Sequence, residues 1–567
     1  MTTVLKIASA QLNPTVGDLW ANMEKIRKAY IRARKDGADI LILPEQSIVG
    51  YPAEDLILKP AAIEDCRDLA LAFAKETKDG PAVVFNLPWN AEGDIYNAVL
   101  FMQDGKVTDI RYKHHLPNYG VFDEERIFTA GPLPSPVEFK GIQLGLPICE
   151  DLWQPGVAAH LADLGAEILI SPNASPWRRT VHSERKDALR TKVHNEGLPL
   201  IYVNQIGGQD ELVFDGSSFS MNGDGKIVQA LKSFVEDYDL AIWEKGAQGW
   251  ECRSARRSDH LSGEEADWRA MCLGLGDYVR KNGFTDVVLG MSGGIDSAMA
   301  ACLAADALGP EHVWCVMLPS KYTSDHSLED ARACAQAMGC VYDIIPIKAA
   351  VEAFDTMLAP RFAGLEPNTT EENIQSRIRA VSLMALSNKF GHMLVTTGNK
   401  SEMAVGYATL YGDMCGGFNP LKDIYKTDVF HLARWRNGHN PDDLFGKDNP
   451  IPERIITKPP TAELRDDQKD SDSLPEYEVL DDILMGLIED ELPVEEIIKR
   501  GHKPALVKRI ENLLYIAEYK RRQAPPGVKI GLKSFGRDRR YPITNRYRDP
   551  VDALNAPANS SGDKGKT

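Results

Sequence analysis

The stretch that most constrains this chain is a glycine-rich segment near its middle, Gly290-Met291-Ser292-Gly293-Gly294-Ile295-Asp296-Ser297. A short apolar run at 286–289 precedes it, and an alanine-rich run at 298–305 follows it. This order predicts a buried parallel strand, a tight glycine turn and the first turns of a helix. Glycines allow a ligand to approach the backbone closely, and free N–H groups at a helix start favour phosphate. The segment is therefore predicted to bind phosphate.

The glycine segment lacks the lysine of a Walker A loop, which would end in Gly-Lys-Ser or Gly-Lys-Thr. It resembles instead the SGGxDS loop of the N-type ATP pyrophosphatases, which grip the pyrophosphate of ATP and release it after adenylating a substrate. An ordinary strand-to-helix turn is the simpler alternative. The match of the whole pattern in a strand–turn–helix context argues against that alternative.

The composition limits the compartment and the partners. A chain of 567 residues is long enough for two or three domains with separate cores. Its formal net charge of −17 argues against nonspecific binding to nucleic acid or to an anionic membrane. No run approaches the roughly 18 apolar residues of a membrane span, and the first residues begin no signal peptide. Nine scattered cysteines without a CxxC pair suit a reducing compartment and no zinc site. We therefore expect a cytoplasmic protein.

The first part of the chain, residues 1–244, is predicted to be one domain in which strands alternate with helices. The predicted helices are Asn22–Lys35 and Ala61–Lys75. The predicted strands are Leu5–Ala10, Asp39–Leu43, Ala82–Phe85, Ala98–Met102, Val107–Tyr112, Ile142–Ile148, Glu167–Ile170 and Leu200–Val203.

Three reactive side chains, Glu45, Lys113 and Cys149, stand just after predicted strands. Taken singly, they could be a turn cap, a solvated charge and a small buried side chain. Together they make chemical sense, because a thiol with a pKa of about 8.5 needs a base and a nearby positive charge to cleave an amide. Glu45 would be the base. Lys113 and a backbone N–H beside Cys149 would stabilise the oxyanion.

The contexts of these residues, Pro44-Glu45, Lys113-His114-His115-Leu116-Pro117 and Cys149-Glu150-Asp151, resemble the Glu–Lys–Cys amidohydrolases of the nitrilase superfamily. The resemblance implies a four-layer αββα sandwich. It also implies a supporting carboxylate in the segment 122–126, and we assign that role to Glu124 rather than to Glu125.

The second part of the chain, residues 265–550, again alternates strands and helices and follows a predicted linker at 245–264. This pattern predicts a parallel α/β domain with its ligands at the carboxyl ends of the strands. A polar stretch at about 437–475 is predicted to be a lid or a disordered loop. The predicted helices are Ala266–Lys281, Ser327–Met338 and Glu372–Asn388. The predicted strands are Val313–Leu318, Tyr342–Ile347 and Met393–Thr397.

With the nitrilase-like half placed before the SGGxDS half, the chain resembles the bacterial glutamine-dependent NAD⁺ synthetase family from about Val4 to Pro550. The tail at 551–567 is predicted to be disordered. The implied fold class is α/β, with the αββα sandwich followed by a parallel-sheet ATP-pyrophosphatase domain, which is adenine nucleotide alpha hydrolase-like.

The reaction implied by this resemblance is the ATP-dependent amidation of deamido-NAD⁺ to NAD⁺ through an adenylate. Ammonia would come from glutamine, and AMP, pyrophosphate and glutamate would be released. One alternative is another glutamine-dependent amidotransferase of the N-type ATP pyrophosphatases, with a different acceptor. The other is a stand-alone amidase with a degenerate nucleotide-binding module.

The resemblance also implies roles for single residues and a homo-oligomer, a dimer or larger. The residues that would contact glutamine are Tyr119, Glu124 and Ser175. The residues that would bind ATP are those of the loop Gly290–Ser297 with Thr397, Lys426 and Thr461. Those for deamido-NAD⁺ are Asn373, Glu402 and Lys533. Mg²⁺ prefers oxygen ligands and would be held by Asp296 and Glu402.

The chain departs from its relatives at two positions. Relatives often carry a basic residue six positions after the serine that matches Ser175, whereas this chain has Val181 there. Arg178, Arg179 and Arg185 therefore all remain candidates to anchor the glutamine carboxylate. Ammonia-only relatives carry a lysine just before the Tyr-Gly-Asp motif, where this chain has Leu410. One substrate contact must therefore come from elsewhere.

Overall fold

The computed structural model describes residues 3–247, 249–460, 463–465 and 474–550. The helices of its first half are α1 (Leu19–Lys35), α2 (Pro60–Ala74), α3 (Val157–Asp163) and α4 (Val181–Glu196). The strands of this half are β1 (Thr3–Gln11), β2 (Ile40–Ile42), β3 (Ala82–Ala91), β4 (Asp94–Gln103), β5 (Lys106–Tyr112), β6 (Val137–Phe139), β7 (Ile142–Gly145), β8 (Ile168–Asn173), β9 (Leu200–Asn204), β10 (Ile206–Gln209), β11 (Leu212–Asp215), β12 (Phe219–Met221), β13 (Ile227–Ala230), β14 (Asp237–Gly246) and β15 (Gly249–Ser254).

Two large sheets stack face to face in the first half. One has the strand order β15-β14-β1-β2-β3-β4-β5, and the other has the order β13-β12-β9-β8-β7-β6. The central strands are parallel: β2 pairs with β1 and with β3 in the first sheet, and β8 pairs with β7 and with β9 in the second. Because these strands are buried on both faces, their sequences are nearly continuous apolar runs, which made them predictable.

Hydrophobic cores join the layers of this half. The core between the sheets contains Leu5 and Ile42 from one sheet and Leu144 and Ile201 from the other. A second core fixes α1 and α2 to the outer face of the first sheet, and a third fixes α3 and α4 to the outer face of the second. The layers are therefore α, β, β and α, which confirms the predicted sandwich.

The structure differs from the predicted linker at 245–264. Gly249–Ser254 forms β15, which pairs antiparallel with β14. As the edge strand of its sheet, β15 is only partly buried and carries charged side chains such as Glu251 and Arg253. It therefore lacks the apolar run that marks an interior strand. Only residues 255–262 connect this sheet to the next helix.

The second half contains a parallel sheet with helices around it. Its strands are β16 (Val287–Gly290), β17 (Val313–Met317), β18 (Val341–Ile344) and β19 (Met393–Val395). Its helices are α5 (Gly263–Lys281), α6 (Ile295–Leu308), α7 (Asp325–Met338), α8 (Lys348–Phe362), α9 (Thr369–Phe390), α10 (Lys400–Val405), α11 (Lys426–Gly438), α12 (Glu453–Thr457), α13 (Tyr477–Ile488), α14 (Val494–Lys499), α15 (Pro504–Ile516) and α16 (Glu518–Arg521).

The order of this sheet fixes where a ligand can bind. The strands follow the order β18-β17-β16-β19, and each neighbouring pair is parallel. The chain leaves β16 to build β17 and β18 on one side and β19 on the other, so a crevice opens at the carboxyl end of β16. The glycine segment lies there, between β16 and α6, as the strand–turn–helix prediction required.

Several elements differ from the predicted ones. The strand predicted at Ile142–Ile148 ends at Gly145, two residues before Pro147, which has no N–H to donate to a neighbouring strand. Helix α12 lies inside the stretch 437–475 that was predicted to be a lid or disordered. Thr461 and the tail 551–567 lie outside the described residues.

The two halves share one hydrophobic core. Trp177 and Val213 of the first half belong to the same cluster as Trp268 and Val528 of the second. Polar contacts add to it, since the Asn13 side chain donates to Asp277 Oδ2 at 2.7 Å. No helix among the described residues is long and apolar enough to cross a bilayer.

Candidate active sites

Three predicted side chains meet in the first half of the molecule, where strands end. Glu45 follows β2, Lys113 follows β5, and Cys149 opens a short 3-10 helix after β7. The Lys113 ammonium lies 2.8 Å from Glu45 Oε1. The charges of Glu45 and Lys113 both act on the Cys149 thiol. The structure thus brings the predicted Glu–Lys–Cys set together.

Lys113 is buried between two carboxylates. Its ammonium donates to Glu45 Oε1 at 2.8 Å and to both oxygens of Glu124 at 2.9 Å. Burial lowers the pKa of Lys113, but the negative charges of Glu124 and Glu45 outweigh it and raise that pKa well above its ordinary value. Lys113 therefore keeps its positive charge in a fixed position.

Glu124 and its neighbour Glu125 differ in burial and in their hydrogen-bond partners. Burial raises the pKa of Glu124 to about 7, with Lys113 opposing the shift and Glu45 adding to it. The Tyr51 hydroxyl donates to Glu124 Oε1 at 2.8 Å. Glu125 is exposed and accepts from Asn118 instead. The assignment of the supporting carboxylate to Glu124 agrees with this geometry.

Cys149 is a buried thiol in an unusual backbone conformation. Its φ of 42° lies in the left-handed region, which a non-glycine residue adopts rarely. Burial and the Glu45 charge raise the pKa of Cys149, and Lys113 opposes them. The thiol is therefore protonated at neutral pH, and a base must remove its proton before it can attack. Glu45 is the carboxylate whose charge acts on it most strongly.

Residues that the sequence did not indicate hold Glu45 in place. The Asn97 amide donates to Glu45 Oε1 at 2.8 Å, and the Ala174 N–H donates to Glu45 Oε2 at 2.9 Å. These partners lie 52 and 129 residues from Glu45 along the chain, and no local pattern marks them. Asp151 ties the cysteine loop to the lysine loop by accepting from the N–H groups of His114 and His115.

Ser175 and Tyr119, the other predicted glutamine contacts, both lie next to charged side chains. The Arg185 guanidinium donates to Ser175 Oγ at 3.2 Å and pairs with Asp215 at 3.3 Å. Tyr119 is half-exposed, and its hydroxyl donates to Glu150 at 3.0 Å.

Of the three arginines that are candidates to anchor the glutamine carboxylate, only one contacts Ser175 among the described residues. Arg178 pairs with Glu184, and Arg179 bonds Asp267 and Asp428 of the second half. Arg185 is therefore the only one of the three that contacts Ser175 among the described residues, and its guanidinium is fully buried and paired with Asp215.

The second half holds a cavity of about 290 Å³ at the carboxyl end of β16. Its walls come from the glycine segment, from α9 and from the segments that follow β19. Among the predicted ATP and metal residues, those that line it are Gly290, Met291, Ser292, Gly294, Ile295, Asp296, Ser297, Thr397, Glu402 and Lys426.

The glycine segment is held by two serines. The Ser292 N–H donates to Ser297 Oγ at 3.1 Å, and the Gly294 N–H donates to Ser292 Oγ at 3.2 Å. Gly293 has a φ of 77°, and a Cβ there would lie 2.4 Å from the carbonyl oxygen of Ser327. No side chain fits at that position, so the turn requires glycine there.

Lys426 and two carboxylates form a charged cluster beside the glycine segment. The Lys426 ammonium lies 2.5 Å from Asp296 Oδ2 and 3.0 Å from Glu402 Oε1. Burial lowers the pKa of Lys426, but Asp296 and Glu402 raise it well above its ordinary value. The Asn399 amide, which the sequence did not single out, donates to Asp296 Oδ1 at 3.0 Å. It caps α10, whose first turn carries Glu402.

The predicted deamido-NAD⁺ residues Asn373 and Lys533 are not among the described residues that line this cavity. Asn373 lies on α9, the helix that forms one wall, and accepts from the Thr409 hydroxyl at 2.9 Å. Lys533 pairs with Glu491, and its N–H donates to Glu489 Oε2 at 2.7 Å. Asn373 therefore lies on a helix that lines the cavity, whereas the described partners of Lys533, namely Lys400, Glu489 and Glu491, do not line it.

Comparison with known proteins gives a consistent result for both halves. Residues 6–242 match the carbon–nitrogen hydrolase family, and residues 267–524 match the NAD synthase family. The glutamine-dependent NAD(+) synthetase of Rhodobacter capsulatus is 50% identical over 97% of this chain and 100% of its own length. The chain belongs to the glutamine-dependent NAD(+) synthetases. The Aquifex aeolicus member is 43% identical over 96% of this chain and 100% of its own.

Solved structures of this family have the same fold. The glutamine-dependent NAD+ synthetase from Acinetobacter baumannii, solved in complex with adenosine diphosphate, is 40% identical, with a TM-score of 0.77 over 96% of this chain and 99% of its own. The one from Cytophaga hutchinsonii, 23% identical, has a TM-score of 0.80 over 96% and 98% of the chains and shows the fold alone. The predicted α/β fold class and its domain order are thereby confirmed.

Proposed function

We propose that this protein amidates deamido-NAD⁺ to NAD⁺, with ATP as the activating substrate and glutamine as the source of ammonia. The observation that carries the proposal is the presence of two separate charged clusters in one chain. Lys113 pairs with Glu45 and Glu124, and the charges of all three act on the buried Cys149 thiol. Lys426 with Asp296 and Glu402 adjoins a phosphate-type glycine loop.

In the first cluster, Glu45 takes the proton of Cys149, and the thiolate attacks the side-chain amide carbon of glutamine. Lys113 and a backbone N–H beside Cys149 stabilise the oxyanion of the tetrahedral intermediate. Glu45 returns the proton to the leaving nitrogen, so ammonia departs and a γ-glutamyl thioester forms. Water, deprotonated by Glu45, then attacks the thioester and releases glutamate and the thiol. Ser175, Tyr119 and Glu124 support this site.

In the second cavity, the nicotinate carboxylate of deamido-NAD⁺ attacks the α-phosphate of ATP, and pyrophosphate leaves. The acyl adenylate is needed because a carboxylate is a poor electrophile at neutral pH. Ammonia then attacks the acyl carbon, and AMP leaves with loss of a proton from the nitrogen. The N–H groups of the loop Gly290–Ser297 and the ammonium of Lys426 stabilise charge on the phosphates. Thr397 and Thr461 complete the proposed ATP contacts, and Asn373, Glu402 and Lys533 the deamido-NAD⁺ contacts.

The carboxylates of Asp296 and Glu402 fit a Mg²⁺ ion. Both line the cavity, and their side chains keep 19% and 17% of their exposure. Among the described residues no group of three or more metal-binding side chains occurs. Mg²⁺ needs no such group, since one or two carboxylates with substrate phosphates commonly hold it. When bound, it would neutralise charge on the phosphates.

Exposed apolar side chains on α8, on α9 and between these helices support a homo-oligomer. Helix α8 has no fully buried residue, and Phe354 and Met357 on it are exposed. Leu365, which follows α8, and Val381, on α9, are each 70% exposed. Large exposed apolar surfaces on soluble proteins commonly bind a partner. Light scattering on the protein and on Met357→Glu tests this, and a monomer at micromolar concentration would contradict it.

One assay with one variant tests the reaction. We expect the protein with ATP, Mg²⁺, deamido-NAD⁺ and either glutamine or ammonia to form NAD⁺, AMP and pyrophosphate. The Cys149→Ala protein should form NAD⁺ from ammonia at close to the parent rate and none from glutamine. ADP in place of AMP, or a variant that still uses glutamine, would contradict the proposal.

A further inference from the structure

The loop that follows Ser175 crosses from the first half of the molecule to the second. Trp177, two residues on, donates its N–H to Val213 O at 2.6 Å and belongs to the core that both halves share. Arg179, four residues on, donates its N–H to Ile530 O at 2.9 Å. The backbone at the proposed glutamine site is thus tied directly to the synthetase half.

The Arg179 side chain bridges two carboxylates of that half. Its Nε donates to Asp267 Oδ2 on α5 at 2.8 Å, and its Nη1 donates to Asp428 Oδ2 on α11 at 2.7 Å. The Asp267 side chain is 8% exposed. A carboxylate that is nearly buried depends on its ion-pair partner, so Arg179 is held firmly on the synthetase half.

Asp428 lies in the first turn of α11, the turn that begins with Lys426. Lys426 contacts the two carboxylates of the ATP cavity, Asp296 and Glu402. The same turn is fixed at Thr427, whose N–H and hydroxyl both donate to Asp481. One rigid helical turn therefore touches the ATP cavity through Lys426 and the glutamine loop through Asp428.

A second path runs through the backbone of Arg179. Its partner Ile530, and Gly531 after it, donate their N–H groups to Asp423 Oδ2 at 2.7 Å. Asp423 pairs at 2.6 Å with Lys400, the first residue of α10, which carries Glu402. Arg179 thus reaches both helices that position the charged cluster of the ATP cavity. Neither Arg179 nor Asp428 is among the described residues that line the cavity.

We propose that Arg179 is a positioning residue that couples the glutamine site to the ATP site by linking the loop after Ser175 to the first turn of α11. The proposal rests on the function proposed above. ATP phosphates compete with Asp296 and Glu402 for the Lys426 ammonium, so ATP binding changes the forces on this turn. Asp428 and Arg179 pass the change to the loop that carries Ser175, and glutamine hydrolysis increases.

The test compares Arg179→Met and Asp428→Asn with the parent and with a control, Arg190→Met. Arg190 is an ion-paired surface arginine of the same half, and its described bonds go to Asp187 and Gly225 of that half. Glutamate release is measured with and without ATP, Mg²⁺ and deamido-NAD⁺, together with NAD⁺ formed from glutamine and from ammonia. The decisive quantity is the ratio of stimulated to unstimulated glutamate release.

In the parent and in Arg190→Met we expect a stimulation in the range typical of allosteric coupling, roughly 5- to 150-fold. Arg179→Met and Asp428→Asn should lose most of it, keep unstimulated glutamate release, and form more glutamate per NAD⁺. NAD⁺ synthesis from ammonia should persist. A residue that is merely structural would lower all activities together and leave the ratio unchanged.

Two outcomes would overturn the coupling role. One is an Arg179→Met protein with the parent's stimulation ratio, and the other is a parent with no stimulation although it makes NAD⁺. If Arg179→Met does not fold, Asp428→Asn and Arg179→Lys decide by the same ratio, and thermal unfolding identifies the folded variants. A parent that makes no NAD⁺ from ammonia would contradict the proposed function itself, which separates the two failures.

Discussion

The ammonium of Lys113 lies 2.8 Å from the carboxylate of Glu45, and the side chains of both residues are 1% exposed. A lysine and a glutamate removed from water at this distance form a strong pair only when their remaining hydrogen-bonding groups are also satisfied. Here Asn97 and the Ala174 N–H bond the carboxylate, and Glu124 bonds the ammonium. The base and the cation of the proposed glutaminase are therefore one preorganised unit.

Glu124 predicts a pH dependence for this unit. Its pKa of about 7 means that it loses its charge as the pH falls through neutrality. Lys113 then pairs with Glu45 alone, which makes Glu45 a weaker base. We expect kcat/KM for glutamine hydrolysis to fall below a pH of about 7. Glu124→Gln, which resembles the protonated form, should lower kcat/KM by about tenfold or more, a cost of about 1.4 kcal/mol, and remove this inflection.

The control for this experiment is Glu125→Gln, which changes the neighbouring exposed carboxylate. Its pH profile, measured between pH 5.5 and 8.5 by glutamate release, should match that of the parent. If Glu124→Gln kept the parent's inflection, the titrating group would be another residue.

The sequence allowed the reactive residues to be predicted but not the residues that hold them. Glu45 and Cys149 follow apolar runs that are visible locally, Lys113 follows the β-rich run Val107–Tyr112, and the glycine segment carries its own pattern. Asn97 and Asn399 are ordinary polar residues whose importance depends on partners 52 and 103 residues away. Such pairings are set by the topology of the sheets, which a single sequence does not show.

Strand β15 and helix α8 were not predicted from the sequence, for related reasons. Each is only partly covered by the rest of the described structure, so burial has not selected an apolar pattern along it. Helix α8 also contains Pro360, which normally indicates the end of a helix. In α8 the proline lies in the last turn, where little of the helix remains to be disrupted.

Lys426 is expected to be essential for adenylation and dispensable for basal glutamine hydrolysis. Lys426→Met removes the cation that bridges Asp296 and Glu402 and that faces the phosphates. NAD⁺ synthesis from ammonia should fall by roughly a hundredfold or more, the usual cost of losing one charge-stabilising group. Steady-state rates with ammonia as the nitrogen source provide the measurement.

A matched control for Lys426 is Lys422→Met, which removes another buried lysine, one that pairs with Glu211 at 2.7 Å outside the cavity. It should retain ammonia-dependent synthesis, although its stability can fall. An equal loss in both variants would mean that Lys426 acts through the fold and not through the phosphates.

Lys533 is predicted to bind the anionic part of deamido-NAD⁺. Lys533→Ala should weaken this binding by about 1.5–3 kcal/mol, the usual contribution of a hydrogen bond to a charged group. The KM for deamido-NAD⁺ should rise accordingly, while glutamate release without the other substrates stays close to the parent rate. Lys499→Ala is the control, because Lys499 pairs with Glu496 on the surface. An unchanged KM would make Lys533 a surface charge that serves only Glu491.

His182 predicts how the stability of the first half depends on pH. Its ring stacks on His260 with centroids 3.3 Å apart, and neither of its nitrogens has a hydrogen-bond partner among the described residues. Burial lowers the pKa of His182, and the charges of His260, Arg185 and Lys186 lower it further. The folded protein therefore keeps this imidazole neutral, whereas the unfolded chain protonates it below a pH of about 6.5.

Because the unfolded state binds the extra proton, the free energy of unfolding should fall as the pH drops below about 6.5, by up to about 1.4 kcal/mol per pH unit for this one group. His182→Phe keeps an aromatic ring against His260 but cannot be protonated, so its melting temperature should decrease less than that of the parent between pH 7.5 and pH 5.5. His194→Phe changes an exposed histidine of the same helix and should behave like the parent. Equal decreases in all three proteins would show that other groups govern the acid sensitivity and that the buried imidazole contributes nothing measurable.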